Sequence, residues 1–468
     1  MKPTVLIIGA GLGGCVLADA LSDSMNIIIV ELPDDIRLGC HIEDIGYPSN
    51  LTPHIGSGLG GSTKYWHNGL IEIQENIFNS YWPYPKSTLD SYYEQAYKKL
   101  SDISRFKVKE VFSSLKNKFI NLGVSGSVLS QILFYPTQRI NIWDSLRLQN
   151  KVKLIRAVAV GFKVDTSSRI EALEIMTKGE KALIRADIYV LAAGGLGTPV
   201  LLQKLAKKIS APSLRLAGCY YEDHPTGFVA EIKTFRSFYK LWNYKSCNIK
   251  GSFRMPIVVD EGGLQVSFQL RPVYQSKTRV GYKSILNDLR NSPLKLKNYL
   301  KLIFCIDDIL EIISFKLGIK LPTKSYSVLM IAEQKSIAEK SICTNFSKMS
   351  ITRKWVLTTA YLELLEMAIN KFLYSMSDVI ITHRILPEWR NYLSSSAHHS
   401  GTARMHSNPN FGVCDSDGRV YGVDNLFICD GSAIPASGTA NTGLTIGALA
   451  IKLSEYLLQS KHRFIKVS

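Results

Sequence analysis

The sequence predicts an α/β fold: an open, doubly wound sheet joined to a second, mostly antiparallel α+β domain. Three observations carry this. A short apolar run, a glycine-rich turn and a helical stretch follow one another from Thr4 to Glu31. The same order returns from Asp187 to Pro199, and a third buried run, Leu426 to Cys429, ends in Asp430-Gly431. Between these segments, alternating strands are mixed with long helical stretches, the pattern of a separate antiparallel unit. A Rossmann-like domain is therefore expected to be discontinuous, built from 1–75, 151–222 and 395–468, with 76–150 and 223–394 forming the second domain.

The opening element is the most informative. Val5-Leu6-Ile7-Ile8 is bounded by glycine and too short for a helix, so it reads as a buried strand. Gly9-Ala10-Gly11-Leu12-Gly13-Gly14 supplies G-x-G-x-x-G, and Ala18, Ala20 and Leu21 continue as a helix. One glycine permits the tight turn, one lets a pyrophosphate approach the backbone, and one lets helix and strand pack closely. The helix N-terminus offers its free amides to phosphate. Ile27 to Val30 form the next strand, which ends in Glu31, about twenty residues past the middle glycine, where an acid can bind a ribose hydroxyl. A dinucleotide site contacted by Gly9, Gly11, Leu12, Gly14 and Glu31 is the expectation.

Bulk properties narrow the class. With 46% hydrophobic and 20% charged residues, the 468-residue chain is an ordinary globular protein of two or three domains. The eight cysteines are scattered, none in C-x-x-C spacing, and no Cys/His cluster resembles a zinc site, so reduced structural thiols and no metal are expected. Cys15 and Cys429 have apolar, core-like neighbours. Lys2 before an apolar run resembles a signal peptide, but the glycine fingerprint falls where cleavage would occur, so a cytoplasmic N-terminus is expected. The net charge of +17 suits anionic partners such as acidic lipid or phosphorylated substrate. No nucleic-acid module accompanies it and the basic residues form no stripe, so no nucleic acid is expected, and solubility serves equally well as the explanation.

A second glycine-rich stretch, Gly56 to Leu70, lacks the glycine-lysine-hydroxyl run of a Walker loop. Such a backbone can lie flat against a ligand, with Trp66, His67 and Asn68 supplying stacking and hydrogen bonds. Trp82-Pro83-Tyr84-Pro85 marks a break, and Ser87 reads as the N-cap of a helix through Leu89, Tyr93, Ala96 and Leu100. Val152 to Val164 and Ala172 to Met176 alternate as half-buried strands. Asp187 to Leu191 adds a strand to the first sheet, and Pro199 fits the start of the helix after it. Phe228 to Ile232, Leu264 to Leu270 and Ser325 to Ala332 read as strands of the second domain. Leu294 to Leu321 is apolar with basic flanks, but Asp307, Asp308 and Glu311 interrupt it, so it fails as a membrane span. It reads as a domain-packing helix or as a basic amphipathic helix lying on anionic lipid.

The densest chemical signal lies near the carboxyl terminus. His398-His399-Ser400-Gly401-Thr402 precedes the strand Leu426 to Cys429. Asp430-Gly431 sits at that strand's carboxyl end, where open α/β sheets bind ligands. Asn441-Thr442-Gly443-Leu444-Thr445 then leads into a helix, Ile446 to Leu458. These segments, with Gly60-Gly61-Ser62, Asn68-Gly69, Asp223-His224-Pro225, Trp82-Pro83, Tyr92-Tyr93-Glu94 and Glu333-Gln334, resemble the glucose–methanol–choline oxidoreductases, FAD-dependent enzymes that oxidise alcohols. The likeness runs through most of the nucleotide domain and touches the second domain sparsely.

The resemblance implies roles. His398, three residues before Gly401-Thr402, corresponds to the family's catalytic base; a histidine titrates near neutrality and can take a hydroxyl proton while hydride leaves for flavin N5. His399 is the fallback base. Asn441 occupies the second active-site position and holds the substrate oxygen. Asp430 and Gly431 resemble the ribityl and pyrophosphate contacts, and Val158 the residue under the adenine. Gly61, Ser62, Trp66, Asn68, Gly69, Ala193 and Thr445 complete the expected cofactor contacts. Tyr65 stands where some members carry a histidine covalently bound to flavin, so non-covalent FAD is expected, with His67 as the residue that keeps attachment open. Trp66 takes the place of a frequent asparagine, as in sugar-oxidising branches, and His406 replaces a usual glycine.

The expected activity is FAD-dependent oxidation of a sugar, polyol or glycoconjugate hydroxyl, with small molecules as partners and the electron acceptor undefined. The charge and the 294–321 segment leave a peripheral contact with an anionic membrane open beside the domain-packing reading. Two rival readings stay open: a flavin-dependent epimerase or isomerase that re-reduces its oxidised intermediate, and a non-catalytic nucleotide-binding scaffold.

Overall fold

A computed structural model describes residues 2–36, 42–46, 56–138, 140–272, 323–334, 337–345 and 350–464. The 294–321 segment, Cys40 and Cys305 lie outside the described residues. Among the described residues, no helix is long and apolar enough to cross a membrane.

The chain is an α/β protein whose first sheet is wholly parallel. Its strand order is Leu426–Ile428, Ile188–Leu191, Thr4–Ile8, Asn26–Glu31, Lys153–Arg156. The three central strands are nearly continuous apolar runs, as expected where helices cover both faces; Val5, Leu6, Ile7 and Val190 are fully buried. The opening helix, Leu12–Leu21, packs against the closing helix, Gly443–Ser460. All five strands point their carboxyl ends at one edge, so the glycine turns after Ile8 and Leu191 and the Asp430-Gly431 turn gather there.

Four elements differ from the sequence expectation. The stretch 152–164 is not one strand: it breaks at Ala157, whose N–H bonds to Glu31 O at 3.0 Å. Lys153–Arg156 joins the parallel sheet, whereas Val158–Val164 begins a separate antiparallel meander with Ile170–Thr177 and Glu180–Ile184. The helix after Leu191 spans Gly194–Leu205, so Pro199 lies inside it rather than at its start. Proline has no N–H for the carbonyl four residues earlier. That carbonyl, Gly195 O, instead accepts from Thr402 Oγ1 at 2.7 Å. Ser87 sits within a 3₁₀ turn, Lys86–Leu89, and the helix proper is Asp90–Ser101. The closing helix also begins three residues before the expected Ile446.

The second sheet is antiparallel, in the order Ile257–Glu261, Leu264–Pro272, Ser325–Ala332, Pro225–Thr234, Ile380–Ile385. Helix Thr359–Ser375 covers it, with Phe372 stacked on Phe268 at 4.5 Å. Helix Asp90–Ser101 packs on the closing helix, where Tyr93 Oη and Thr445 Oγ1 are 3.0 Å apart.

A mostly buried ion cluster fixes the start of the next helix, Arg105–Ile120. Arg105 forks onto Glu72 (Nε–Oε1 2.6 Å, Nη2–Oε2 2.8 Å), and Lys86 adds a contact at 3.0 Å. Burial pushes the Glu72 carboxyl up, but Arg105 and Lys86 outweigh it and hold the pKa below its usual value. Because the folded-state value is depressed, this contribution is present above the ordinary glutamate pKa of about 4.3 and is lost as pH falls through the lowered value. Glu72→Gln should cost about 2 kcal/mol at pH 7, since it removes the forked charge-assisted pair and leaves the mostly buried Arg105 guanidinium with Asp90 (2.7 Å) as its ionic partner. Urea midpoints at pH 7 and pH 3 check this, and the difference between wild type and variant should shrink at the lower pH.

Candidate active site

The two glycine-rich stretches form one cradle. Gly60 N donates to Ala10 O at 2.9 Å, and a Cβ built on Gly61 would lie 3.0 Å from Gly11 Cα. Gly9 (φ 111°) makes the turn: a Cβ there would sit 2.3 Å from Ala192 O. A Cβ on Gly14 would lie 2.3 Å from Gly9 O, so this glycine lets helix and strand close. Gly11 differs, because the nearest atom to an added Cβ is 3.8 Å away. Gly194 (φ 76°), beside Ala193, has nothing within 4 Å of such a Cβ. Open space over Gly11 and Gly194, at two helix N-termini, fits a pyrophosphate-bearing ligand.

Glu31 is 8% exposed, and its carboxylate accepts from Ala10 N (2.6 Å), Leu32 N (2.8 Å) and Gly58 N (3.2 Å). It therefore ties the two glycine loops together at the end of its strand. Val158 follows Ala157 and so lies beside the same strand end. Trp66 donates to Ile140 O at 3.0 Å, and its ring is 2.7 Å from a Cβ built on Gly443, which also lies near Leu12. Leu12, Trp66 and the N-terminus of the closing helix thus converge.

Asn68 is 1% exposed with φ 53°, a left-handed conformation that asparagine tolerates. Its Nδ2 donates to Gln138 O at 2.8 Å, while its Oδ1 has no hydrogen-bond partner among the described residues. A buried acceptor without a donor costs free energy, so Asn68 fits a ligand that donates there. Asn441 Nδ2 reaches Gly69 O at 3.4 Å. Ser62 is exposed. The Thr445 hydroxyl is turned to Tyr93. The Asp430 carboxylate holds together the turn before Gly431: it accepts from Gly194 N (2.8 Å), Thr198 Oγ1 (2.6 Å), Ser432 N (2.8 Å) and Ser432 Oγ (2.5 Å). Burial raises its pKa, and these bonds oppose the rise.

The histidines lie where the parallel sheet meets the antiparallel one. Ala397 has φ 57°, a strained left-handed turn of the kind that gathers at functional sites. Gly195 and Gly431 pack on His399 O, where added Cβ atoms would approach to 2.3 and 2.9 Å. His398 Nδ1 is 3.0 Å from His224 Nδ1, and the rings meet edge to face. Asp223 is fully buried and accepts from the backbone N–H of both His224 (2.7 Å) and His398 (3.1 Å), while Ser395 Oγ donates to its other oxygen. His399 Nδ1 pairs with Tyr221 Oη at 2.7 Å, and its Nε2 is buried with no hydrogen-bond partner among the described residues.

Desolvation lowers the His398 pKa to about 4, with Asp223 opposing and His399 reinforcing the shift. His399 falls to about 3, through burial and then Arg353. Burial, with His398 adding to it, holds His224 well below its usual value, whereas burial raises Asp223. All three imidazoles are therefore neutral at pH 7, and a neutral imidazole can accept a proton. Among the described residues, no group of three His, Cys, Asp or Glu is placed to hold a metal ion. Asp223-His224-Pro225 carries a family resemblance but no role legible in sequence; Tyr221 and Glu222 have no local sequence mark beyond their nearness to that Asp-His pair, and Ser437 has none.

A GMC oxidoreductase family model matches residues 370–450, which include the histidine pair, Asp430-Gly431 and Asn441. The chain is 40% identical over 60 residues to a 2-methyl-1,2-propanediol dehydrogenase of Mycolicibacterium austroafricanum, covering 13% of this chain and 11% of that one. It is 32% identical over 95 residues to a long-chain-alcohol oxidase of Arabidopsis thaliana, covering 20% and 12%. The matched segments thus span only about a tenth of these relatives' length. The structure superposes on a pyridoxine 4-oxidase of Mesorbium loti with a TM-score of 0.60 at 14% identity, covering 98% of this chain and 99% of that one.

Proposed function

Because the chain belongs to the GMC oxidoreductase family, we propose that it oxidises a CH–OH group with FAD as cofactor and His398 as the base. The single observation behind this reading is His398 itself: a neutral imidazole held by its Nδ1 against His224, next in sequence to the His399 carbonyl on which Gly195 and Gly431 pack. FAD, when bound, supplies the acceptor for the hydride that leaves the carbinol carbon. Gly9, Gly11, Leu12 and Gly14 would hold its pyrophosphate, with Ala193 and Gly431 flanking; Glu31 and Val158 would hold the adenosine end, and Gly61, Trp66, Asn68 and Gly69 the flavin end. Asp430 positions these contacts by fixing the turns at Gly194 and Ser432.

In the chain's part of the reaction, Asn441 orients the substrate hydroxyl and His398 takes its proton as the carbonyl forms. His399 serves as a packing partner of Tyr221 rather than as the base. Substrates are proposed to be sugar, polyol or glycoconjugate hydroxyls, on the strength of Trp66, and FAD is proposed to be non-covalent, since Tyr65 is 53% exposed and is no histidine. A cytoplasmic location and a contact of 294–321 with anionic lipid are proposals from sequence alone; co-sedimentation with anionic vesicles tests the latter.

The test is an anaerobic panel of sugars, polyols and their phosphates added to the purified holoprotein. Bleaching of the flavin absorbance by at least one alcohol is expected. Admitting air then separates oxidase from dehydrogenase by the speed of recolouring. Turnover of a sugar to its epimer with no external acceptor would replace this reading with the epimerase. A colourless protein that FAD cannot reconstitute would end it.

A further inference from the structure

Behind His398 runs a chain of hydrogen bonds that ends on a carboxylate. His398 Nδ1 faces His224 Nδ1 at 3.0 Å, His224 Nε2 faces Ser437 Oγ at 3.1 Å, and Ser437 Oγ lies 3.4 Å from Glu222 Oε2. Ser437 N donates to the same oxygen at 3.3 Å. His224, Ser437 and Glu222 are 1%, 1% and 3% exposed, so water does not substitute for any link. The segments are also clamped, since Glu222 and Ser400 exchange backbone hydrogen bonds at 3.0 Å each way.

We propose that Glu222, Ser437 and His224 are positioning residues that fix the tautomer of His398, placing its proton on Nδ1 and leaving the lone pair on Nε2. The inference rests on His398 being the base. The polarity follows from the far end. A carboxylate only accepts, so the Ser437 hydroxyl donates to Glu222 and keeps a lone pair for His224 Nε2–H. A neutral His224 protonated at Nε2 has a bare Nδ1, which accepts from His398 Nδ1–H. Neutral His398 is then bare at Nε2, the nitrogen that makes no hydrogen bond with the described residues. The reverse polarity would protonate Nε2 and leave no base at that nitrogen. Asp223 does not compete for the proton, because its oxygens are taken by the backbone N–H groups of His224 and His398 and by Ser395. His399, the other nearby imidazole, is engaged with Tyr221. The base is thus specified by a glutamate that never touches substrate.

The experiment is long-range ¹H–¹⁵N correlation on ¹⁵N-histidine-labelled holoenzyme, with His398 identified by the signal lost in His398→Gln. The expected result is His398 in the Nδ1–H form and His224 in the Nε2–H form. Glu222→Gln puts an amide donor at the end of the chain, and Ser437→Ala cuts it. Both should move His398 to the Nε2–H form and slow anaerobic flavin reduction about tenfold or more, at unchanged flavin content. An Nε2–H His398 in the wild type overturns the proposal, as do two folded variants with unchanged tautomer and rate. An Nδ1–H His398 whose removal leaves the rate intact supports the relay and sinks the base assignment instead, so the two ideas fail separately.

Discussion

His398→Ala should slow alcohol-driven bleaching of the bound flavin by roughly two to four orders of magnitude, the usual range for a lost general base. Flavin content should hardly change, because the residues that line the cradle do not depend on this side chain. His399→Ala is the control. Its imidazole is tied to Tyr221 through Nδ1, and a rate loss comparable to that of His398→Ala would reverse the assignment. The pH dependence adds a second, independent reading. The base must be neutral, and burial holds His398 at about 4, so kcat/KM should stay level from neutrality down to about pH 5 and fall below that. An acid limb near 6.5, the ordinary histidine value, would mean that the imidazole is solvated or paired with an anion in the working enzyme.

Gly13→Ala should remove both the fold and the flavin. A Cβ at this position would lie 1.9 Å from Cys429 O and 2.9 Å from its carbonyl carbon. These are backbone atoms at the end of a sheet strand and cannot rotate away, so the opening helix would have to lift off the sheet. Overpacking of this kind costs about 3 kcal/mol or more, against a total stability of about 5–15 kcal/mol. The urea midpoint should drop steeply and the purified protein should be colourless. Gly11→Ala is the informative contrast. Its backbone has an ordinary φ of −78° and its added methyl meets nothing closer than 3.8 Å. The urea midpoint of the apoprotein should therefore be nearly unchanged while FAD affinity falls, because the methyl occupies the space reserved for the ligand. Equal destabilisation by the two substitutions would contradict the division between a packing glycine and a ligand glycine.

The parallel sheet was legible because three of its strands are short apolar runs followed within three residues by glycine, and such runs have few other places to go. Val5 to Ile8, Ile188 to Leu191 and Leu426 to Ile428 could be placed for that reason. Boundaries set by tertiary partners were not legible. Nothing in Val152 to Val164 announces that Ala157 will bond to Glu31 and hand the chain to another sheet. The helix start at Gly194 was hidden because Pro199 mimics a first-turn proline, while the carbonyl it frees is satisfied by Thr402, far along the chain. The histidine pair stood out by its neighbours in sequence, but its supports did not. His398–His224 and His224–Ser437 are separated by 174 and 213 residues, and Glu222–Ser437 by 215. A serine and a glutamate at such distances carry no local mark of their partnership.

The contact between Gly13 and Cys429 also has a temporal side. The groove opened by the first residues gains its last wall only when the strand Leu426–Ile428 joins the sheet, and Cys429 Sγ donates to Gly13 O across a sequence gap of 416 residues. At about 5–20 residues per second of synthesis, the amino-terminal turn waits roughly 20–80 seconds for that wall. For the later part of that interval the nascent chain carries the apolar strand Ile188–Leu191 with one edge unpaired, the kind of edge that invites pairing with another chain.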